Sequence, residues 1–319
     1  MKCAIVSASK VAIVAFVGGT MKKSLLAIAA TVAMLGSPAL AADMALKAPP
    51  PPACPAVADI VRADTQVSLD AAGTHFDYRE FTAGFGTTVL DSEKGWVPGV
   101  SITGSVMADT SLFGTNVCDL YGFMRYSWFN GTTNYWSAPT GPLTDGANVN
   151  EFDFRFGKGF VIAPNTMITP YIGTGARAWQ RYLDGPGGYQ EIYSHDYAGG
   201  GLLLQYAPTP GLVLSLNGLV GSTFNANIEG MPKPGGAAVI STRNALGSEL
   251  LYMVGGSADY ALTAHWHVNA EVDFTSWRYG QSAPFCAGPA FGPCTPTNAL
   301  EPNSQSDIVE VRGGFGYAW

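Results

Sequence analysis

The sequence predicts an all-β fold, a single-chain antiparallel transmembrane β-barrel of ten strands, with eight as the alternative count. Three observations predict it. Segment after segment places apolar side chains at every second position, the two-residue period of a strand with one apolar face. The connections between those segments alternate between short and long, the pattern of short periplasmic turns and long outer loops. Beyond residue 41 no run approaches the roughly 20 consecutive apolar residues of a spanning helix, so strands must make any membrane crossing.

In chain order, residues 1–41 read as an N-terminal extension and a signal peptide. Met21-Lys-Lys begins a basic region, Leu25 to Leu35 is a short apolar run, and Ala39-Leu40-Ala41 before Ala42 is a signal-peptidase-type site. Met21 makes a better start than Met1. Removing this leader takes four of the 17 basic residues and no acid, leaving 13 basic against 24 acidic groups, a net charge of −11. That balance excludes nucleic acid as an expected partner. Residues 42–64 carry the run Pro49 to Pro52 and then Pro55, and read as an extended, proline-rich periplasmic tether that packs into no core. The barrel is expected over 65–319.

The segment Ala42-Asp-Met-Ala-Leu-Lys-Ala-Pro-Pro-Pro-Pro52 resembles the start of mature opacity-type outer-membrane surface antigens of alpha-proteobacteria. The resemblance covers about a dozen residues and the general barrel pattern. The Trp-Thr-Gly-Phe-Tyr type of first strand found in that family has no counterpart here. The likeness implies a location in the cell outer membrane of a Gram-negative bacterium; it does not imply an activity.

Ten strands are expected at 66–80, 96–109, 116–130, 148–160, 167–183, 190–206, 212–224, 248–260, 265–279 and 306–319. Short connections fall at 110–115, 163–166, 207–211 and 261–264. Long ones fall at 81–95, 131–147, 184–189, 225–247 and 280–305. In the fourth strand Phe152, Phe154, Phe156 and Phe160 share one face against Glu151, Asp153 and Arg155. The eighth sets Leu250, Tyr252, Val254 and Tyr260 against Glu249, Ser257 and Asp259. In the ninth, Trp266, Val268, Ala270, Val272 and Phe274 alternate with His267, Asn269, Glu271 and Asp273. The last sets Val309, Val311, Phe315, Tyr317 and Trp319 outward, an ending suited to recognition by the barrel-assembly machinery. Phe160, Tyr206, Tyr260, Trp266 and Trp319 fall at the periplasmic rim, where amphipathic rings meet lipid headgroups. Outer-membrane lipid and lipopolysaccharide are the expected surroundings.

The opposite faces collect charge. Asp77, Arg79, Arg125, Glu151, Asp153, Arg155, Arg177, Arg181, Glu249, Asp259, His267, Glu271, Asp273, Glu310 and Arg312 are expected in the bore, eight acids beside six arginines. Single buried charges cost several kcal/mol each, on the order of 3–5, so pairing or water must accompany them. Arginine's planar fork suits bidentate pairing in a confined space. A charge-paired, plugged bore is the leading expectation and a narrow porin-like channel for small solutes the alternative.

Enzyme, metal and cofactor readings are weaker. Ten strands with long loops also resemble the omptin proteases, but His195 and Asp196 are adjacent on a strand and face opposite ways. His75 and Asp77 share a face yet have no identified nucleophile or water-orienting partner. No pattern selects a lipid-A-modifying enzyme. His265 and His267 alone do not make a metal site. No glycine-rich loop follows a strand and opens a helix; Gly199 to Gly201 lie mid-strand, where they make room for bulky inward groups such as Trp179. No enzyme activity, metal or cofactor is expected. Cys286 and Cys294 can close a nine-residue loop as a disulfide, and Cys54 can pair with Cys118. The expected role is that of a surface protein, structural or adhesive, with a host or surface ligand taken by outer loops bearing residues such as Trp136.

Overall fold

The computed structural model describes Cys54 and residues 56–82, 84–112, 115–138, 141–184, 188–231, 243–285 and 300–319. Cys286 and Cys294 lie outside them. The described residues form one short helix, α1 (Ala58–Ala63), and twelve strand segments: β1 (Gln66–Phe81), β2 (Val89–Leu112), β3 (Thr115–Ser137), β4 (Gly141–Lys158), β5 (Phe160–Ala163), β6 (Thr166–Leu183), β7 (Gln190–Thr209), β8 (Leu212–Met231), β9 (Arg243–Ala245), β10 (Leu250–Ala261), β11 (Trp266–Tyr279) and β12 (Asn303–Ala318). β5 continues the line of β4 past Gly159, and β9 pairs only with the far end of β8.

The other ten pair antiparallel around a closed ring, in the order β10, β11, β12, β1, β2, β3, β4, β6, β7, β8 and back to β10. The two chain-distant seams are as regular as the rest. β1 runs against β12 from Gln66↔Ala318 to Phe81↔Asn303, and β8 meets β10 from Leu212↔Tyr260 to Ser222↔Leu250. Closure removes both sheet edges, so every wall strand has a backbone partner on each side, the condition for standing in hydrocarbon.

Side chains alternate as the sequence leads one to expect. Phe160, Tyr206, Tyr260, Trp266 and Trp319 point outward near the short-turn rim, each 47–66 % exposed. A closed belt of exposed Leu, Val, Ile and Phe above them exceeds what a protein in water tolerates, and identifies the lipid-facing band. Upward, the outer face turns polar at Asp77 on β1, Lys94 on β2, Asn130 on β3, Asn150 on β4, Asp196 on β7, Ser276 on β11 and Asp307 on β12.

The walls continue well beyond that polar ring. A strand tilted across a bilayer needs about 9–11 residues, whereas β2 has 24 and β3 has 23. Hence β3 runs on to Ser137 and β4 starts at Gly141, absorbing most of the expected 131–147 loop, and β2 reaches back to Val89. The physical reason is that an emerged wall has water on its outside. Outward residues such as Thr132, Asn134 and Asn148 are then polar, and the apolar alternation that marks a spanning strand disappears.

The expected tether is corrected over its last residues. The proline-rich stretch ends at Pro55, and Val57 and Ile60, one helical turn apart, are buried in the same cluster as the inward Met107, Tyr121, Met167, Leu203 and Val213. Asp59 in the first turn and Arg62 in the last suit the helix dipole, and Thr65 Oγ1 donates to the Val61 carbonyl at 2.7 Å. A helix of six residues is marginal alone. Here burial holds it, together with the Cys54–Cys118 disulfide, which ties the chain before it to the foot of β3.

Gly201 shows how tightly the bore is filled. A Cβ at this position would overlap the Tyr171 ring, whose hydroxyl donates to Asn217 Oδ1 at 2.5 Å. Tyr171, rather than the expected Trp179, is the ring Gly201 admits, while Gly199 makes room for the backbone at Val220 and Gly221. Gly201→Val is therefore expected to destabilise the barrel by about 1–3 kcal/mol, read as a lower urea midpoint for unfolding in micelles, while Gly200→Val on the open outer face is near neutral.

Candidate functional site

The chemistry of this chain is gathered inside the barrel, in three tiers. At the short-turn end α1 lies across the mouth, touching β2 on one side and β7 and β8 on the other, strands four to five places apart in the ring of ten. Polar groups at its end are tied to the wall. Gln205 Nε2 donates to Asp64 Oδ1 at 3.0 Å, Gln66 Nε2 donates to the Ala63 carbonyl at 2.7 Å and to Asp259 Oδ2 at 2.8 Å, and His267 Nδ1 lies 2.5 Å from Asp259 Oδ1.

The middle tier is the paired set that the alternation indicated. Arg125 forks onto Glu271, with Nη1 donating to Oε1 at 3.0 Å, and its Nη1 also reaches Asp273 at 3.5 Å. Arg312 pairs with Asp273 at 2.5 Å and with Glu310. Arg155 holds Asp153 at 2.6 Å, and Tyr197 donates to the same carboxylate at 3.0 Å. Arg177 pairs with Glu151. Rings pack against the cations: Arg155 lies 4.6 Å from the Phe123 ring centre and Arg177 4.8 Å from that of Trp277. Cavities of about 110 and 60 Å3 lie between these groups, each well below the roughly 300–1,000 Å3 of a typical small-molecule pocket.

Of the upper tier, the sequence indicated only Trp179 and Arg181 as inward groups. Phe76 and Tyr78 from β1 meet Trp179 from β6 on the opposite wall, with ring centres 5.3 and 5.2 Å apart. Trp179 stacks on Tyr193 of β7 at 5.6 Å, and Tyr193 on Tyr279 of β11 at 5.9 Å. β1 and β7 are five places apart in the ring of ten, so this plate of rings spans the bore. Tyr78 donates to Glu80 at 2.7 Å and Tyr193 to Glu301 at 2.5 Å, which fixes the tilt of the rings.

Above the plate sits Arg181, fully buried, among acids from four strands. It reaches Glu93 at 2.8 Å, Glu191 at 3.0 Å, Asp145 at 3.2 Å and Glu80 at 4.0 Å. All lie on the long-loop side of the outer polar ring, outside the membrane-spanning segments. One guanidinium cannot neutralise so many carboxylates. Burial pushes Glu93 up to about 8 and Glu191 up to about 7, and raises Glu80 and Glu301, while Arg181 pulls each down. Asp91, close to Glu80, is pushed up to about 8 by burial and by that neighbour. Near neutral pH part of this box is therefore protonated.

Of the fourteen charged residues expected to line the bore as a network, Arg125, Glu151, Asp153, Arg155, Arg177, Arg181, Asp259, Glu271, Asp273, Glu310 and Arg312 do point inward. Asp77 and Arg79 do not. Above the membrane the wall faces water outside and packs inside, so its parity is that of a soluble barrel: Phe76, Tyr78 and Glu80 turn in while His75, Asp77 and Arg79 turn out. Glu249 precedes β10 and is half-buried; its backbone carbonyl accepts from the Thr223 N–H at 2.8 Å. The missed members, Glu80, Glu93, Asp145, Glu191 and Glu301, lie at or beyond the expected strand ends. Inward parity carried past those ends reaches Glu80, Glu93, Asp145 and Glu191, whereas Glu301 precedes β12 and is off the parity of its inward residues.

No protein-family model and no curated protein matches the sequence. Solved structures similar to the chain include Ail, the attachment invasion locus protein of Yersinia pestis, at 8 % identity over 80 % of this chain and 99 % of that one, with a TM-score of 0.28. The outer membrane protein OprG from Pseudomonas aeruginosa is 13 % identical over 80 % and 97 %, with a TM-score of 0.28. The translocator domain of the autotransporter NalP from Neisseria meningitidis is 12 % identical over 82 % and 92 %, with a TM-score of 0.37. The chain's own geometry carries the assignment: a closed antiparallel wall with an apolar belt outside and ion pairs inside is an outer-membrane β-barrel.

Proposed function

We propose that this outer-membrane barrel is a sealed surface-display protein, with its long-loop end outside the cell, structural or adhesive in the manner of opacity-type surface antigens. The plate of rings across the upper bore carries this reading, because it closes the side from which a solute would enter. α1 closes the other mouth. The emerged wall offers large exposed groups such as Trp136 on β3, 44 % exposed, to a host or surface ligand.

A catalytic role finds little support. His75 and Asp77 sit on the outer wall, where Asp77 is engaged with Arg79 and Lys94, and His195 is buried against Tyr279 at 2.6 Å. A narrow channel is the second reading, favoured by the two cavities left between the closures.

Labelling intact cells with a membrane-impermeant maleimide tests the display reading. Asn134→Cys is expected to label and Thr263→Cys, in the short turn between β10 and β11, to label only after lysis. The reverse pattern sinks the reading. Cells expressing the full chain should also adhere to a host-cell or abiotic surface at least several-fold better than cells expressing Trp136→Ala.

A further inference from the structure

We infer that the outer wall formed by β11, β12, β1 and β2 holds a phosphate-bearing glycolipid headgroup of the outer leaflet. This rests on the membrane orientation proposed above and goes beyond it by assigning a ligand class and its residues.

Strand register lays out the surface in rows. The upper row is Arg278, Gln305, Arg79 and Ser92. The row beneath is Ser276, Asp307, Asp77 and Lys94. The next is Phe274, Val309, His75 and Trp96, and under it Val272, Val311, Gly73 and Pro98. Cations thus stand one and two rows above an aromatic and apolar edge, where lipid phosphates meet hydrocarbon.

The polar rows are held rigid. Arg79 bridges Asp307 at 2.5 Å and Asp77 at 3.1 Å, Ser276 Oγ donates to Asp307 at 2.7 Å, and Lys94 reaches Asp77 at 3.0 Å. Lys94, with its side chain 53 % exposed, and Arg278, stacked 4.7 Å over the Phe85 ring, stand at the two flanks. Below them Trp96, 53 % exposed and 5.3 Å from the His75 ring, offers a face to a sugar or acyl chain.

Charge placement argues for an anion. The expected mature chain carries only 13 basic residues and a net charge of −11. Among the described residues, the outward cations of the emerged wall are Arg79, Lys94, Arg278 and Arg243, and the first three share this one face. Arg243, on β9, is remote from it in the ring.

The test titrates the purified full chain, folded in micelles, with fluorescent lipid A bearing its phosphates, with the same lipid dephosphorylated, and with inorganic phosphate as competitor. Wild type is expected to hold the phosphorylated lipid in preference. Lys94→Gln and Arg278→Gln are each expected to raise the half-saturating concentration about fivefold, and Arg243→Gln to leave it unchanged. Equal affinity for both lipid forms, or full affinity in the Lys94→Gln/Arg278→Gln double variant, overturns the inference. Displacement by millimolar inorganic phosphate also overturns it, since the site would then take the ion alone. Heat-modifiable migration, scored on every variant, separates these results from loss of the barrel itself, which would sink the membrane reading instead.

Discussion

Arg181→Met is expected to unlock the outer half of the barrel, lowering stability by about 3–5 kcal/mol at pH 8. Among the described residues the arginine is the single cation reaching Glu80, Glu93, Asp145 and Glu191, and it also lies 5.1 Å from the Trp179 ring centre and 5.2 Å from that of Tyr78. Methionine keeps the bulk and removes the charge, so buried carboxylates face one another with nothing between them. At pH 5 the same substitution should cost far less, because Glu80, Glu93 and Glu191, whose protons burial favours, take them up instead. Urea unfolding in micelles, followed by tryptophan fluorescence at both pH values, checks this. An equal loss at pH 5 and pH 8 would mean that packing, not charge, is what Arg181 provides.

The wild-type barrel should itself lose stability as pH rises through 7 to 8. The sign follows from the direction of the shifts. Glu93 and Asp91, pushed up to about 8, and Glu191, pushed up to about 7, bind protons in the folded state that they release when unfolded. Their contribution is fully present below the ordinary carboxylate range near pH 4 and is lost as pH climbs past their folded values. Above pH 8 the newly charged box repels itself and the plate beneath it loosens. Hydrogen exchange at the backbone of Tyr78, Trp179 and Tyr193 is expected to speed up between pH 6 and pH 9 by more than the intrinsic base catalysis. In a Glu93→Gln/Glu191→Gln variant this extra acceleration should shrink.

The fold was legible because hydrocarbon imposes a strict rule: each spanning strand shows an apolar residue at every second place, as Phe152, Phe154 and Phe156 do. The middle ion pairs followed from the same rule, since Arg125, Glu271 and Arg312 are what remains on the other face. Legibility ends where the membrane ends. There the wall separates water from a packed interior, so Tyr78, Trp179 and Tyr193 turn inward and Asp77 and Arg79 outward, the opposite of the pattern one level below. Reading the charges of β1 as bore residues applied the membrane rule one turn too far along the strand. α1 was hidden for a different reason. Its six residues follow a proline-rich stretch and show little helical periodicity of their own; what fixes them is a mouth already lined by Met107, Met167 and Leu203, a tertiary fact.

Closure at both ends has a consequence for how the polar bore survives inside a membrane. The paired carboxylates and guanidiniums need water or one another. Between α1 below and the rings above, the charges lean chiefly on one another, and Arg177 Nε and Nη2 and Arg312 Nε, buried without a protein partner, are the donors that water in the small cavities would have to serve. Arg312, Asp273, Arg125 and Glu271 accordingly form one connected network rather than separate bridges.

Single-channel recording of the full chain in planar bilayers at pH 6, below the values of about 7 to 8 to which Glu93, Asp91 and Glu191 are pushed, tests the seal most directly. Insertion without stable unitary steps is the predicted result, with steps emerging when Trp179→Ala is combined with removal of residues 54–64. A reproducible ohmic conductance from the unaltered chain would contradict it.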